Sequence, residues 1–532
     1  MKRLHRFPAH GLRAATLASI LLLNLGMRMS LALRPIGFID ARTLPDDAYL
    51  SLTIARNIAR GEGPSYAGEF TNGFQPMSVY LLAPVFLLNG DDPTTGVRAA
   101  TVLSSLFDTL TLFVICRMII RRCRSPLALF PAALAWMLSP AGLRTAVNGM
   151  ETSMACFIFA CCLMALDRLV SSRPLADRDR SWFLLGALTG AGMFARIDLA
   201  GFALTAVATI FVLFRQDLRR AIALALVFAA GVAIIECPWL AYGYAHTGEL
   251  LPVSASAIRL MSLATVEFSP SFSTWYRLML REGTAALWAD GRAMLIAAAA
   301  FSLLAVVTGV ASPRRIVRVC AWLAPASLCA ALLFVAYTCF VFGPWFFDRY
   351  LFPACVVLTL IVAATCDVLL EAAGRRLIRG GALIAVALLI ATVDVTDPAL
   401  GRTILPSVRP PGGYLPIGIW ARRRFPPGSV IASAQSGAIG YFADSLTVIN
   451  LDGVVSPSCY RALREFRAME YLRRRKAHYV VGWYSNFQYL EHQSAGIERL
   501  DLGPLRPIEG FRTLGYEWFF AEVRYDIPEE MR

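Results

Sequence analysis

Residues 76–90 read PMSVYLLAPVFLLNG. Whether this apolar run crosses a bilayer decides the topology of the whole chain. It has 15 residues, whereas a helix crossing the hydrocarbon core needs about 20. Longer apolar runs flank it at 12–33, 98–120, 126–143, 150–170, 182–196, 199–215, 221–243, 291–311, 318–342, 350–371 and 380–396. The loops between them are basic at 121–124, 168–180, 215–220, 314–318 and 375–379. With the N-terminus inside and 76–90 not crossing, every basic cluster falls on the cytoplasmic side, as the positive-inside rule asks. If 76–90 did cross, the RRCR cluster at 121–124 would lie outside. The expectation is therefore a polytopic α-helical membrane protein with about eleven transmembrane helices. Residues 35–97 then form one external loop with an amphipathic helix from about 47 to 60 and an interfacial helix at 76–90.

Composition agrees. Of the 532 residues, 57 % are hydrophobic and 17 % charged, whereas a soluble domain carries roughly a quarter charged. The formal charge of +14 sits in short loops between spans, which argues for membrane orientation and against a nucleic-acid partner. Only Lys2 and Lys476 are lysines among 51 basic residues, a bias that fits a GC-rich bacterial genome. The N-terminal run resembles a signal peptide, but without a small-residue cleavage site it reads as an uncleaved first span. The 12 cysteines lie mostly in apolar spans and show no metal spacing, so they read as small buried hydrophobes.

Eleven spans leave the C-terminus outside. Segment 397–532 changes texture: it is polar, with VRPPGG and FPPGS turns. SVIASAQ (429–435), LTVINL (446–451) and AHYVVGWY (477–484) read as strands, with a helix over 459–475. The division is 1–396, a transmembrane domain, and 397–532, a small extracytoplasmic α/β domain. No GxGxxG suggests a dinucleotide site.

The external ends of the spans collect the ionisable residues, and such groups at membrane depth mark pathways or sites. Asp46 and Asp47 open the loop helix. One of them is expected to cap it, which leaves the other to act as a general base. Arg349, in WFFDRYLFP, either pairs with Asp348 or offers a fork of donors to a lipid phosphate. Arg196 and Asp198, in ARID, either pair with each other or serve the same site. Arg259 ends the PVSASAIR segment, and Glu151 either starts its helix favourably near the dipole or joins the site. Asn72 and Gln75 in TNGFQP, His246 and Tyr350 complete the set of substrate-binding candidates. His246 has no partner at metal-ligand spacing, and no metal ligand set is visible beyond the acids. Phosphate-binding arginines beside a carboxylate base, gathered at one face, suit glycosyl transfer from a lipid-phosphate sugar.

In this order LPDDAYLSLTIARNIARGEGPSYAGEFTNGFQP, NGMETSM, ARIDLAG, PWLAYGYAHTGELLPVSASAIR, WFFDRYLFP and SAQSGAIGYFADSLTVINLDGVVSP resemble the GT-C membrane glycosyltransferases. Among bacterial members the pattern is similar to the mycobacterial terminal arabinofuranosyltransferase and related mannosyltransferase-like proteins. The resemblance implies a polyprenyl-phosphate-linked sugar as donor and a glycan or lipid-linked acceptor. It also implies inversion in one displacement, an Asp of the first external loop as base (Asp46 or Asp47), and Arg349, Arg259 and Arg196 near the donor phosphate. Some GT-C enzymes need a divalent cation. Arg259 stands where relatives often have Lys, and ARID replaces a more usual Arg-Pro-Asp. The implied location is the bacterial inner membrane. Two other classes compete: a lipid or polysaccharide transporter, which would carry its charges near the midplane, and a non-catalytic glycan assembly protein.

Overall fold

The computed structural model describes residues 9–524 apart from 91, 177, 268–270, 308–312, 342, 344–346, 373–375, 407–411 and 495–501. Among the described residues, each of the eleven apolar runs falls on one helix or on a few consecutive short ones, but fewer than eleven are long enough to span. Six helices are long and apolar enough to cross a membrane, Ala14–Ala32, Pro93–Arg122, Thr152–Ser171, Leu218–Thr247, Phe272–Val306 and Pro313–Val341. There are seven if the bent pair Leu383–Val395 and Pro398–Ile404 forms one span. The remaining runs fold as shorter apolar helices such as Pro126–Leu138, Ile197–Leu213 and Ala354–Leu370.

Local chemistry sets the helix ends. Asp92 accepts from the amides of Thr94 and Thr95 at 3.1 and 3.2 Å, and Pro93 takes the first helical position of Pro93–Arg122. There a missing N–H costs nothing. Arg122 Nε closes the other end of that helix on Asp167 at 2.7 Å. Inside the bundle, Arg28 and Asp108 form a fully buried pair at 2.9 Å. The indole of Trp136 donates to Asp108, and the Arg28 guanidinium also donates to the carbonyls of Trp136 and Met137. An intramembrane pair needs every such bond, because an unpaired charge there is expensive. Asp179–Ala195 and Leu218–Thr247 cross on glycines. A Cβ on Gly186 would meet the Phe228 carbonyl at 2.1 Å, and one on Gly231 the Phe183 carbonyl at 2.2 Å.

Outside the bundle, the first loop folds as the short hairpin β1 (Ser65–Tyr66) and β2 (Glu69–Phe70) between two helices, Asp46–Ala59 and Pro76–Asn89. The first of these was expected to be amphipathic. It is buried on nearly all sides, with Tyr49, Leu52, Ile54, Arg56 and Asn57 all inside. The reason is a second cover: Ile417, Ala421, Ile439, Tyr441 and Phe442 of the C-terminal segment join its core.

That C-terminal segment carries a five-stranded sheet of β3 (Val430–Ser433), β4 (Thr447–Asn450), β5 (Tyr479–Trp483), β6 (Arg506–Thr513) and β7 (Tyr516–Glu522), in the order β4-β3-β5-β7-β6. The first three strands are parallel, and β7 and β6 add antiparallel. Alternation along the strands separates two cores. Ile431, Val448 and Val481 join Tyr49, Leu52 and Val79 of the first loop. Ala432, Ile449 and Val480 face the helices Pro457–Arg464, Ala468–Arg474 and Tyr484–His492. The single helix expected over 459–475 is broken in two, with Phe466 at φ 58° in the turn.

Candidate active site

Asp46 and Asp47 are the first two residues of their helix, and Pro45 precedes them at the cap position with no side-chain cap bond. The expectation that one of the pair caps this helix is thus corrected, because Asp46 caps a different one. Its two oxygens accept from the amides of Gly437 and Ala438 at 2.8 and 2.9 Å, orphan donors in the first turn of Ser436–Phe442. Burial pushes the Asp46 carboxyl up to about 7; the two amides pull against this, while the charges of Asp47 and Asp452 add to it.

Asp47 turns to a different partner: its Oδ2 accepts from Arg349 Nη2 at 2.7 Å. Asp348, the other partner considered for Arg349, is exposed. The Arg349 guanidinium lies 5.3 Å from the centre of the Tyr350 ring, and Tyr350 stacks on Tyr337 at 4.4 Å. Arg196 pairs with Asp198 at 2.6 Å, and the Tyr337 hydroxyl donates to that same carboxylate at 2.7 Å. Arg196 also donates to the backbone carbonyls of Arg349 and Tyr350 at 3.2 and 3.4 Å. It thereby fixes the turn that carries the second guanidinium. Glu151, buried at the start of Thr152–Ser171, lies within reach of the charges of Arg349, Arg196 and Asp47. Two buried atoms of this cluster, Thr152 Oγ1 and Asp198 Oδ1, have no hydrogen-bond partner among the described residues.

The structure thus gathers Asp47, Glu151, Arg196, Asp198, Arg349 and Tyr350. Other candidates stand apart from this network. Asn72 is a clamp between loops: its amide donates to the carbonyls of Glu249 and Leu251, and its oxygen accepts from Val253 N at 3.2 Å. Gln75 is half-buried at the cap of Pro76–Asn89. His246 stacks on Tyr242 at 4.1 Å and bonds the Tyr242 carbonyl. Arg259 is exposed on Val253–Glu267.

Sequence reasoning passed over Asp452. It follows β4 and accepts from Val454 N at 3.0 Å, while Gly453 turns the chain at φ 81°. Burial pushes its carboxyl up to about 7, and the charge of Asp47 adds to the rise. The Asp-Gly turn after a strand was the available signal. Among the described residues no group of three His, Cys, Asp or Glu side chains is placed to hold a metal ion.

The chain shares its fold with solved structures of two membrane-enzyme families. ArnT from Cupriavidus metallidurans bound to undecaprenyl phosphate superposes with a TM-score of 0.54 at 15 % identity, over 97 % of this chain and 98 % of that one. Its apo form gives 0.54 at 14 %, covering 96 % and 97 %. The Archaeoglobus fulgidus oligosaccharyltransferase, in complex with Zn and sulfate, gives 0.56 at 14 %, over 96 % of this chain and 74 % of that one. Residues 408–519 match a domain family of unknown function, DUF8728. No curated protein sequence matches the chain significantly.

Proposed function

We propose that the chain is a glycosyltransferase of the bacterial inner membrane. It takes a sugar from a polyprenyl-phosphate donor and transfers it, with inversion, to a glycan or lipid-linked acceptor. Its N-terminus is cytoplasmic, and residues 397–532 are an extracytoplasmic domain. The observation that carries the reading is the Asp47–Arg349 pair, a base and a phosphate binder held against each other. ArnT, which shares the fold, is a protein that binds undecaprenyl phosphate.

The chemistry follows from the pair. A donor phosphate presents oxygens that match the guanidinium fork, and Arg349 exchanges Asp47 for them. The released Asp47 carboxylate accepts the proton of an acceptor hydroxyl. That oxygen attacks the anomeric carbon from the face opposite the phosphate, the bond from that carbon to the phosphate oxygen breaks, and the lipid phosphate leaves. Its charge stays on Arg349, and the proton stays on Asp47. Arg196 acts as a positioning residue through the carbonyls of residues 349 and 350. Asp46 fixes the direction of the helix that presents Asp47. A lipid phosphate is a good leaving group, so a base, charge neutralisation and positioning suffice.

The test compares envelope glycans of the host, a deletion strain, and strains carrying Asp46→Asn or Asp47→Asn at matched membrane abundance. Loss of the same sugar in the deletion and in Asp47→Asn supports the reading. Normal glycan from Asp47→Asn, with the deletion defective, overturns it in favour of transport or assembly.

A further inference from the structure

Three polar atoms at the carboxyl ends of β3 and β5 are buried without a hydrogen-bond partner among the described residues: Ser433 Oγ, Gln435 Oε1 and Trp483 Nε1. Buried polar groups are normally paired, since leaving one unmade forfeits its hydration. Their clustering is also topological. From β3 the chain passes to β4 on one side and then to β5 on the other. The carboxyl end of β3 is therefore the switch point of the parallel part of the sheet, where open α/β sheets bind ligands.

Strand alternation orients these residues. Ser433 follows Ile431 by two, and Trp483 follows Val481 by two. Both therefore lie on the sheet face that packs against the first loop. Ser433 is fully buried, whereas Gln435 and Trp483 are half-buried. The same edge of the sheet holds the Gly437 and Ala438 amides on Asp46, and Asp452 beside β3. On the far side the Trp483 ring stacks on Tyr516 at 4.8 Å, and Tyr484 and Tyr516 are 55 % and 54 % exposed.

We propose that this edge, from Asp452 past Ser433 and Gln435 to Trp483 and Tyr516, is the binding site for an oligosaccharide acceptor. Sugar hydroxyls satisfy the Ser433 hydroxyl, the Gln435 carbonyl and the Trp483 N–H. A ring further along the chain stacks on Tyr516. From β4 to β7 the site crosses three strand spacings, about 14 Å, which spans more than one sugar ring. The acceptor is accordingly a chain of sugars, and its end hydroxyl lies at the Asp452 side, nearest Asp47. The assignment rests on the glycosyl-transfer reading and names its acceptor subsite.

The experiment uses the full chain in lipid nanodiscs. The probe is a set of end-labelled oligosaccharides released from the envelope glycan of the deletion strain, followed by fluorescence anisotropy and by transfer assay. Gln435→Leu keeps size and removes the amide's oxygen and nitrogen, and Trp483→Phe removes the indole N–H together with part of the ring. Each is expected to weaken oligosaccharide binding about tenfold, the loss of one good hydrogen bond, and to raise the acceptor KM with kcat unchanged. The thermal midpoint of Gln435→Leu should stay at or above wild type, because an unpaired polar atom has gone, whereas that of Trp483→Phe should fall slightly with the ring volume lost. Binding equal to wild type in both variants overturns the site, and so does a wild-type chain that binds none of the oligosaccharides. Neither result touches the role of Asp47. Conversely, full transfer by Asp47→Asn alongside the expected binding losses would refute the catalytic reading and leave the sugar site standing.

Discussion

The Asp47 carboxylate meets the Arg349 guanidinium at 2.7 Å across 302 residues of chain. One partner opens a loop helix and the other sits in a four-residue helix, Phe347–Tyr350. Asp47→Asn removes the proton acceptor with almost no change in shape. Transfer should fall by roughly a hundred- to ten-thousand-fold, the usual contribution of a general base. The thermal midpoint should barely move, because Asp47 is partly exposed and Arg349 keeps its place over Tyr350. Purified variants assayed for transfer and unfolding check both halves.

Arg349→Lys keeps the charge but loses the planar fork. Donor KM should rise roughly ten- to a hundredfold, corresponding to about 1.5–3 kcal/mol for a charged hydrogen bond. Acceptor KM should hold. A donor titration at saturating acceptor separates the two, and an unchanged donor KM would place the phosphate elsewhere.

Gly437 admits no side chain: a Cβ there would stand 2.1 Å from the Asp46 carbonyl. Gly437→Ala therefore pushes the loop helix and the C-terminal segment apart, at a cost of about 1–3 kcal/mol. Thermal stability and transfer should fall together. Gly26→Ala is the control, since nothing lies within 4 Å of a Cβ at that position.

The seam between loop and sheet should respond to pH. Burial pushes Asp46 and Asp452 up to about 7 and Asp40 up to about 6, from an ordinary 3.8. The folded chain then holds protons that the unfolded chain has released. Stability is highest below the ordinary value, falls as pH rises towards about 7, and levels off above it. Asp46→Asn should reduce that slope by up to about 1.4 kcal/mol per pH unit. Unfolding midpoints across the window measure it, and a slope equal to wild type would count against the buried acid.

Much of this was legible in the chain. The eleven apolar runs meet helices because hydrophobicity over a whole span is a sum that single residues cannot upset. The helices at 46–59 and 76–89 lie within a residue of expectation. The Arg196–Asp198 pair was readable from adjacency. Asp46 was not: its partners are amides 391 and 392 residues away, and a backbone donor leaves no mark on sequence. Helix Phe272–Val307 begins well before the expected span at 291, since its first turns lie in a loop where apolar periodicity is weak. The β6–β7 hairpin was missed because β6 alternates poorly, with a register shift between Pro507 and Arg512.

The seam at Asp46 also orders events in time. Asp40 accepts from the amides of Tyr414 and Leu415, Arg56 donates to the carbonyls of Gly440 and Tyr441, and the Tyr66 hydroxyl donates to Ser436. Each bond joins an early segment to one synthesised more than 350 residues later. At a ribosome adding about 5–20 residues per second, the loop helix waits tens of seconds for its cover. A chain that stalls before its final hundred residues presents a bare, apolar loop helix to whatever protease surveys that membrane. Asp47 can be brought into register only in chains that have been made to the end.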